Sequence, residues 1–287
     1  MKRNFQGALD SRRNLKNSFL IVFINGRDAA VVPAQFKVLS EAEGECVSVE
    51  RPNGKSSLLV ICEHASRLLP ERYGTLGLSD EALESHIAWD PGALGVARGI
   101  SRALDATLIH QRFSRLIYDC NRPPESAGAM PKKSEVYEIP GNAHLSAEER
   151  LARTEALYIP FHDAIRALIR DRKARGQETV IATVHSFTPV YHGKARAVEI
   201  GILHDEDSRF ADSVLNVAST GSPLYKIERN EPYGPADGVT HTLILHGLSN
   251  GLRNVMIEVR NDLISDQDGQ GVMADYLTGL LRQSLDA

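Results

Sequence analysis

Cysteine is scarce in this chain of 287 residues, which has Cys46, Cys62 and Cys120. They are scattered and show no C-x-x-C spacing, which argues against a disulfide framework or a cysteine zinc site. This cysteine usage fits a reducing cytoplasm best. Long apolar runs are lacking too, since no stretch approaches the ~20 apolar residues of a membrane span.

An excess of positive charge is also absent. The formal net charge is -4 and the isoelectric point is about 6.2, so neither nucleic acid nor an anionic membrane is expected as a partner. With 42% hydrophobic and 24% charged residues, the composition is that of an ordinary globular protein. Basic residues precede the short apolar run Phe19 to Ile24, but no clear cleavage site follows it. We therefore expect an extra strand or an extended leader there rather than a signal peptide.

Apolar runs alternate with long helical patterns along the chain, which is typical of an α/β fold with a mostly parallel sheet. No linker divides the chain. Residues 121–145 contain four prolines and two glycines and are predicted to form a long irregular loop. The predicted strands are 58–62, 106–110, 115–119, 179–184, 197–203 and 254–259. The predicted helices are 80–89, 92–104, 147–175, 206–218, 240–249 and 267–284.

Reactive side chains recur where the predicted strands end. Ligands of open α/β sheets bind outside the carboxyl ends of the strands, so these side chains mark a candidate site. They are Glu63 and His64; Asp119, Asn121 and Arg122; His185; His204 and Asp205; Glu258 and Arg260.

His64 and His185 each close a buried strand and are candidate metal ligands. Zinc binds histidine and carboxylate ligands, and a catalytic site keeps one position for water. The H-E-x-x-H pattern is absent, and Arg67 occupies the place of the glutamate in an H-x-x-E pair. A single strand-end histidine is more often structural, but two of them with an acid nearby favour a metal site.

The third ligand must come from elsewhere in the chain. Asp90 is the first candidate, although an aspartate before Pro91 equally fits a helix cap. Glu63 is the alternative third ligand, although strand alternation points it away from His64.

The segment from Arg115 to Arg122 could bind an acidic small-molecule substrate. Arginine binds carboxylates in a bidentate manner, so Arg115 and Arg122, with Asn121 between them, form a plausible cradle. A structural pair between Arg115 and Asp119 is an equally good interpretation.

Glu258 lies inside an apolar strand, where a carboxylate is costly unless it is paired or functional. Burial would raise its pKa toward the range of a general base. The alternative is a buried ion pair with Arg260 on the same strand face.

Four further histidines are weaker candidates. His192 follows His185 in a loop and could shape the pocket. His162 is expected to cap or pack within its long helix. His241 and His246 are five residues apart and would lie on different helix faces, which makes them a poor pair of ligands.

Six motifs, in the same order, resemble the N-formylglutamate amidohydrolase family over residues from about 46 to 284. They are "CEHASRLLP", "WDPGA", "SRLIYDCNRP", "VHSFTPVYHGKAR", "NEPY" and "GLRNVMIEVRNDLI". The best-characterised members have "PHSG" where this chain has "CEHAS", which places it closer to a broader branch of the family.

The resemblance implies a zinc-carboxypeptidase-like fold, a three-layer α/β/α sandwich around a mixed, mostly parallel sheet. Residues 46–287 would form a single amidohydrolase-like domain, with residues 1–45 as an N-terminal extension. The implied activity is hydrolysis of N-formylglutamate to formate and glutamate, late in histidine degradation, with Zn²⁺ or another divalent metal.

The resemblance also implies roles for individual residues. His64 and His185 take the positions of the metal-binding histidines, and Glu258 that of the general base. Asn121 and Arg122 would hold a substrate carboxylate.

The mechanism that follows from these roles needs a group to steady the developing oxyanion, and Arg115 or Arg196 is expected to supply it. Asp119 and His192 complete the expected substrate-binding set. Two other functions stay open: a zinc peptidase or amidase acting on another acidic or cell-wall substrate, and a metal-free ligand-binding relative.

Overall fold

The computed structural model describes residues 37–220 and 224–286, so the apolar run at 19–24 lies outside the described residues. In this part of the chain, a seven-stranded sheet has the order β1-β3-β2-β6-β11-β9-β10. Two small hairpins, β4-β5 and β7-β8, lie apart from it. The strands are β1 (Val47–Glu50), β2 (Leu58–Cys62), β3 (Thr107–Gln111), β4 (Lys133–Ser134), β5 (Tyr137–Glu138), β6 (Val180–Phe187), β7 (Val190–Tyr191), β8 (Lys194–Ala195), β9 (Ile200–Leu203), β10 (Ile227–Arg229) and β11 (Asn254–Arg260).

The central sheet is mixed and mostly parallel. β2 pairs in parallel with β3 and β6, β6 with β11, and β9 with β10. β1 and β9 run antiparallel to β3 and β11. The α-helices are α1 (Asp80–Glu84), α2 (Ala93–Leu104), α3 (Ala147–Arg153), α4 (Ile159–Ala174), α5 (Arg209–Ser219) and α6 (Gln267–Leu285).

Helices cover both faces of the central sheet. Alternate strand residues such as Val60 and Val184 pack on one face against α2, α5 and α6. Their neighbours Ile61 and Ile181 pack on the opposite face against α4 and the buried loop around Ile117. The predicted α/β/α sandwich is therefore confirmed. The strands read as continuous apolar runs because both of their faces are buried.

Most predicted elements occur within a few residues of their expected bounds. β2 matches its prediction, and β6 continues to Phe187, three residues beyond the predicted end, so that His185 lies inside the strand. The helix predicted at 147–175 forms α3 and α4, joined by the π-helical turn Thr154–Tyr158. The short strands β1 and β10 were not predicted.

The strand predicted at 115–119 is wrong, because this segment forms a turn. The Ser114 hydroxyl accepts a hydrogen bond from the Leu116 amide at 3.1 Å, and the Ser114 carbonyl accepts one from the Ile117 amide at 3.0 Å. Leu116 and Ile117 are fully buried. A turn buried in the core has the same apolar sequence as a buried strand, and local hydrogen bonds decide between them.

Two predicted helices are shorter or differ in type. The helix predicted at 80–89 ends at Glu84, whose carbonyl accepts a hydrogen bond from the Trp89 indole. The segment predicted at 240–249 forms the π-helical turn Leu243–Gly247 and then a 3₁₀ turn, Leu248–Asn250.

Candidate active site

A cavity of about 350 Å³ opens at the carboxyl edge of the central sheet, where β2, β6 and β11 end. This is the position at which open α/β sheets bind ligands. Most of the residues selected from the sequence line it: His64, Asp90, Arg115, Asp119, Asn121, Arg122, His185 and Glu258.

His64, Asp90 and His185 meet at the floor of this cavity, and each is at least 97% buried. Asp90 Oδ2 lies 3.2 Å from His64 Nδ1 and 2.9 Å from His185 Nδ1. The two Nδ1 atoms are 3.3 Å apart. In the described chain these three residues form a group that could hold a metal ion.

The other nitrogen of each imidazole faces a second buried acid. His64 Nε2 lies 2.7 Å from Asp119 Oδ1. His185 Nε2 lies 3.1 Å from Glu63 Oε2, as an ion-pair contact without hydrogen-bond geometry. Glu63 therefore lies behind His185, outside the His64, Asp90 and His185 group, and Asp90 is the carboxylate that joins the two histidines.

These contacts shift the acidity of the cluster. Burial alone would lower the pKa of His185, but the Glu63 and Asp90 carboxylates outweigh it and raise that pKa well above its usual value. Burial would raise the pKa of Asp90, but the His64 and His185 rings and the Arg115 guanidinium hold it far below its usual value. The acids and the imidazoles thus stabilise one another's charged forms.

Local backbone geometry brings the three groups together. His64 lies in the turn after β2, and its carbonyl accepts a hydrogen bond from the Asp90 amide at 2.9 Å. In the parallel pair β6 and β11, His185 is in register with Glu258, so both side chains project from the same face.

Asp90 does not cap a helix, so the helix-cap interpretation of this residue is wrong. The N-cap of α2 is Gly92, in a left-handed conformation with φ 80°. A Cβ at Gly92 would clash with the Ile264 carbonyl oxygen, so the turn that follows Asp90 requires glycine. This turn leaves the Asp90 carboxylate free to contact both histidines.

Glu258 stands beside the cluster as a candidate base. It is buried, and its Oε2 is without a hydrogen-bond partner among the described residues. Burial raises its pKa to about 7 against the opposing effect of the His185 charge. The alternative ion pair with Arg260 does not form, because Arg260 contacts Asp262 at 2.8 Å and Glu199 at 3.5 Å.

Arg115 and Asp119 form the structural pair that the sequence left open. Arg115 donates to Asp119 Oδ2 at 2.6 Å and to Asp90 Oδ1 at 3.3 Å. Its guanidinium nevertheless lines the cavity. Arg115 therefore fixes both acids and brings positive charge to the cavity wall.

Asn121 and Arg122 also line the cavity, next to Asp119. The Asn121 side chain donates to the Val239 carbonyl at 2.5 Å and accepts from the Thr242 amide at 3.0 Å. Arg122 donates one hydrogen bond to the Gly238 carbonyl. Asn121 thus anchors the loop at 238–242, and Arg122 adds a second guanidinium to the cavity wall.

Arg196 and His192 fall outside the cavity lining. The Arg196 guanidinium lies over the rings of Tyr191 and Tyr233, at 4.4 and 4.8 Å from their centroids. His192 is exposed in the turn of the β7-β8 hairpin. Arg196 therefore contacts the cavity wall through Tyr191 and Tyr233, which line it.

With this geometry defined, comparison with known proteins identifies the family. A sequence model of the N-formylglutamate amidohydrolase family matches residues 56–265, which is more than half of the chain. The chain belongs to the N-formylglutamate amidohydrolase family. It is therefore an enzyme of the amidohydrolase class, as the motifs predicted.

Solved structures agree with this family fold. A gene product from Agrobacterium tumefaciens is 57% identical, with a TM-score of 0.85 over 87% of this chain and 98% of that one. An N-formylglutamate amidohydrolase from Ralstonia eutropha is 19% identical, with a TM-score of 0.59 over 83% of this chain and 96% of that one. The search of curated proteins gave no match.

Several residues of the cavity were missed from the sequence. The cavity wall also includes His86, Ser134, Tyr191, Tyr233 and Asp237. Tyr233 belongs to the "NEPY" motif, which was a signal without an assigned role. The others come from the loops at 85–90 and 121–145, from the β7-β8 hairpin and, for Asp237, from the 3₁₀ turn Pro235–Asp237. These sequences show no periodic pattern that points to the cavity.

Three of the other histidines, His162, His241 and His246, lie near one another, and two of them, His162 and His246, are buried. His162 Nδ1 lies 2.8 Å from His246 Nε2, and His162 Nε2 lies 2.9 Å from the Cys120 carbonyl oxygen. His241 instead contacts the Tyr158 hydroxyl at 2.8 Å. His162 therefore packs within its helix, and His241 and His246 face different partners.

In the part of the chain that the structure describes, no helix is long and apolar enough to cross a membrane.

Proposed function

We propose that this amidohydrolase uses a divalent metal, best satisfied by Zn²⁺, to hydrolyse a small N-acyl amino acid such as N-formylglutamate. The observation that carries the proposal is the convergence of His64 Nδ1, His185 Nδ1 and Asp90 Oδ2 within 3.3 Å of one another. A role in histidine degradation goes with this substrate.

The spacing of these atoms fits zinc. Ligands about 2.0–2.1 Å from a tetrahedral zinc are about 3.3 Å from one another. The three distances here are 3.2, 2.9 and 3.3 Å. Two histidines and one carboxylate are also a known ligand set of catalytic zinc sites, which leaves a fourth position for water or substrate.

The charges of the cluster support the same conclusion. If each Nε2 carries its proton toward Asp119 or Glu63, both Nδ1 lone pairs face the Asp90 carboxylate. Three electron-pair donors at this distance repel one another unless a cation lies between them. Acids behind metal-binding histidines fix the tautomer and raise the basicity of the ligand.

A metal held by His64, Asp90 and His185 would act as a Lewis acid and lower the pKa of water to near neutrality. Glu258, with its raised pKa and an unpartnered oxygen, accepts the proton of the attacking water and passes it to the leaving amine. Arg115 lies on the cavity wall, where its charge can steady the developing oxyanion.

Cavity size and charge favour a small acidic substrate. About 350 Å³ lies at the lower end of ligand cavities. Arg122 lines the cavity wall, and an arginine can hold a substrate carboxylate in a bidentate manner. Orientation by this contact would contribute to the rate.

The test is to measure zinc content and formate release from N-formylglutamate for the native chain, His64→Ala and His185→Ala. We expect both variants to lose bound zinc and activity, because two ligands cannot hold the metal tightly. His192→Ala is the matched control, since this histidine is exposed and outside the cavity. Full zinc occupancy and activity in both cluster variants would exclude the metal site.

A further inference from the structure

We propose that Glu135 sets the upper size limit of the substrate by joining two hairpins over one side of the cavity. This inference rests on the proposed function and names the substrate class more narrowly. Glu135 is a positioning residue, because its carboxylate contacts the hairpins rather than the reacting atoms. The limit it imposes admits a single amino acid with a short acyl group.

The Glu135 carboxylate links three separate segments around the mouth of the cavity. Its Oε2 lies 3.1 Å from His86 Nε2, and its Oε1 accepts a hydrogen bond from the His192 amide at 3.0 Å. The Glu135 side chain is only 14% exposed, although it lies on a hairpin turn. A carboxylate so buried in a loop needs partners, and these contacts supply them.

Both hairpins need such a contact. β4-β5 and β7-β8 have two residues in each strand, and an isolated hairpin of this size is not stable. The β7-β8 hairpin is also held by Arg196, whose guanidinium lies over the rings of Tyr191 and Tyr233. The contacts of Glu135 connect the β4-β5 hairpin to this anchored one.

The backbone at Glu135 has the conformation that a two-residue hairpin turn requires. Its φ of 49° lies in the left-handed region, which costs a residue with a side chain about 1–2 kcal/mol relative to its normal conformation. Glycine or asparagine would fit this position better. Strain of this kind persists where the surrounding structure or the function requires it.

The joined hairpins close one side of the cavity. Ser134 from the first hairpin, Tyr191 from the second and His86 all line it. These residues bound the cavity on this side. A longer acyl group or a second amino acid would require the hairpins to separate.

The experiment compares Glu135→Ala with Glu138→Ala. Glu138 is the control because it lies on the same hairpin and contacts Lys133 in an exposed pair, away from the second hairpin. For each zinc-loaded chain, kcat/KM is measured with N-formylglutamate and with N-benzoylglutamate. We expect Glu135→Ala to raise the ratio of kcat/KM for N-benzoylglutamate to kcat/KM for N-formylglutamate about tenfold. The change should come mainly from a lower KM for the larger substrate, with kcat for the smaller substrate unchanged.

Hydrogen exchange gives a second measurement that does not require activity. Glu135→Ala should speed exchange of the His192 amide and of both hairpins, and Glu138→Ala should leave the second hairpin unchanged. Glu135→Gly removes the carboxylate and the backbone strain together, so it keeps the test valid if the alanine variant folds poorly.

The outcomes separate the two proposals. If the native chain hydrolyses N-formylglutamate but Glu135→Ala leaves the substrate ratio and the exchange unchanged, the role of Glu135 is excluded. If the zinc-loaded native chain hydrolyses neither compound, the proposed function is wrong. The role of Glu135 is then tested by hydrogen exchange and by the ratio of calorimetric Kd values for the same two compounds. Both are compared between the native chain and Glu135→Ala.

Discussion

At the scale of single residues, the site depends on which nitrogen of each histidine faces which acid. His64 and His185 both direct Nδ1 at Asp90 and Nε2 at another buried carboxylate, Asp119 or Glu63. This repeated arrangement assigns the acids two different positions: one lies between the imidazoles, and the others lie behind them. The acids behind the imidazoles fix the tautomer and orientation of the two rings.

The general base can be tested by Glu258→Gln. Glutamine has nearly the same shape but cannot accept the proton, so kcat should fall about 10²–10⁴-fold while zinc content stays unchanged. In the native chain, activity should fall as the pH drops below the pKa of Glu258, because the base must be ionised. A Glu258→Gln variant that keeps full activity would exclude this role.

Asp119→Asn tests the acid behind His64. The amide can still accept a hydrogen bond from Nε2–H but cannot stabilise positive charge on the ring, so zinc affinity should fall about 10–100-fold. A competition titration with a zinc chelator measures this. Asp163→Asn is the control, because Asp163 forms an exposed pair with Arg166. Equal zinc affinity in both variants would contradict the positioning role.

At the scale of secondary-structure elements, the turn before α2 places Asp90. Gly92→Ala should destabilise the fold by about 2–5 kcal/mol, because φ 80° is strained for alanine and the new Cβ meets the Ile264 carbonyl. Zinc affinity should fall with it, since any shift of this turn moves Asp90.

Gly176→Ala is the matched control for Gly92→Ala. Gly176 also has a positive φ, 67°, but a Cβ there would meet nothing within 4 Å. Only the cost of the left-handed backbone conformation, about 1–2 kcal/mol, should remain. Zinc affinity should be unchanged. Urea unfolding gives the free energy of unfolding of both variants. Equal losses of stability would show that the clash at Gly92 is unimportant.

The elements also show where sequence patterns fail. β2 and β11 were predicted closely because apolar residues buried on both sheet faces leave a continuous run. The segment 115–119 has the same kind of run but is a buried turn. Burial determines which residues are apolar, and the hydrogen bonds that distinguish a turn from a strand are not visible in that pattern.

At the scale of the whole molecule, the buried pair His162 and His246 makes stability depend on pH. Burial and the nearby Arg166 charge lower the pKa of His246 to about 4. The unfolded chain, with a histidine pKa near 6.5, therefore binds a proton that the folded chain does not. The contribution of His246 is complete above about pH 6.5 and is lost as the pH falls toward 4.

The corresponding prediction is a loss of about 3 kcal/mol between these pH values for His246 alone. Unfolding free energies from urea titrations at pH 7.5 and 4.5 should differ less in His246→Asn than in the native chain. His144→Asn, at an exposed histidine, should keep the native difference. An unchanged pH dependence in His246→Asn would contradict the prediction.

The sequence by itself determined the α/β class, most strands of the central sheet and the family, because each of these depends on local periodicity or on short ordered motifs. It also selected His64, His185 and Glu258, because reactive residues at strand ends stand out against apolar runs, and it selected Asp90 from the turn before a predicted helix. The tertiary structure decided what local patterns cannot express: that Asp90 rather than Glu63 joins the histidines, and that Glu135 joins two hairpins. Both depend on distances between segments that are far apart along the chain, and these distances are fixed only when the sheet and its loops pack together.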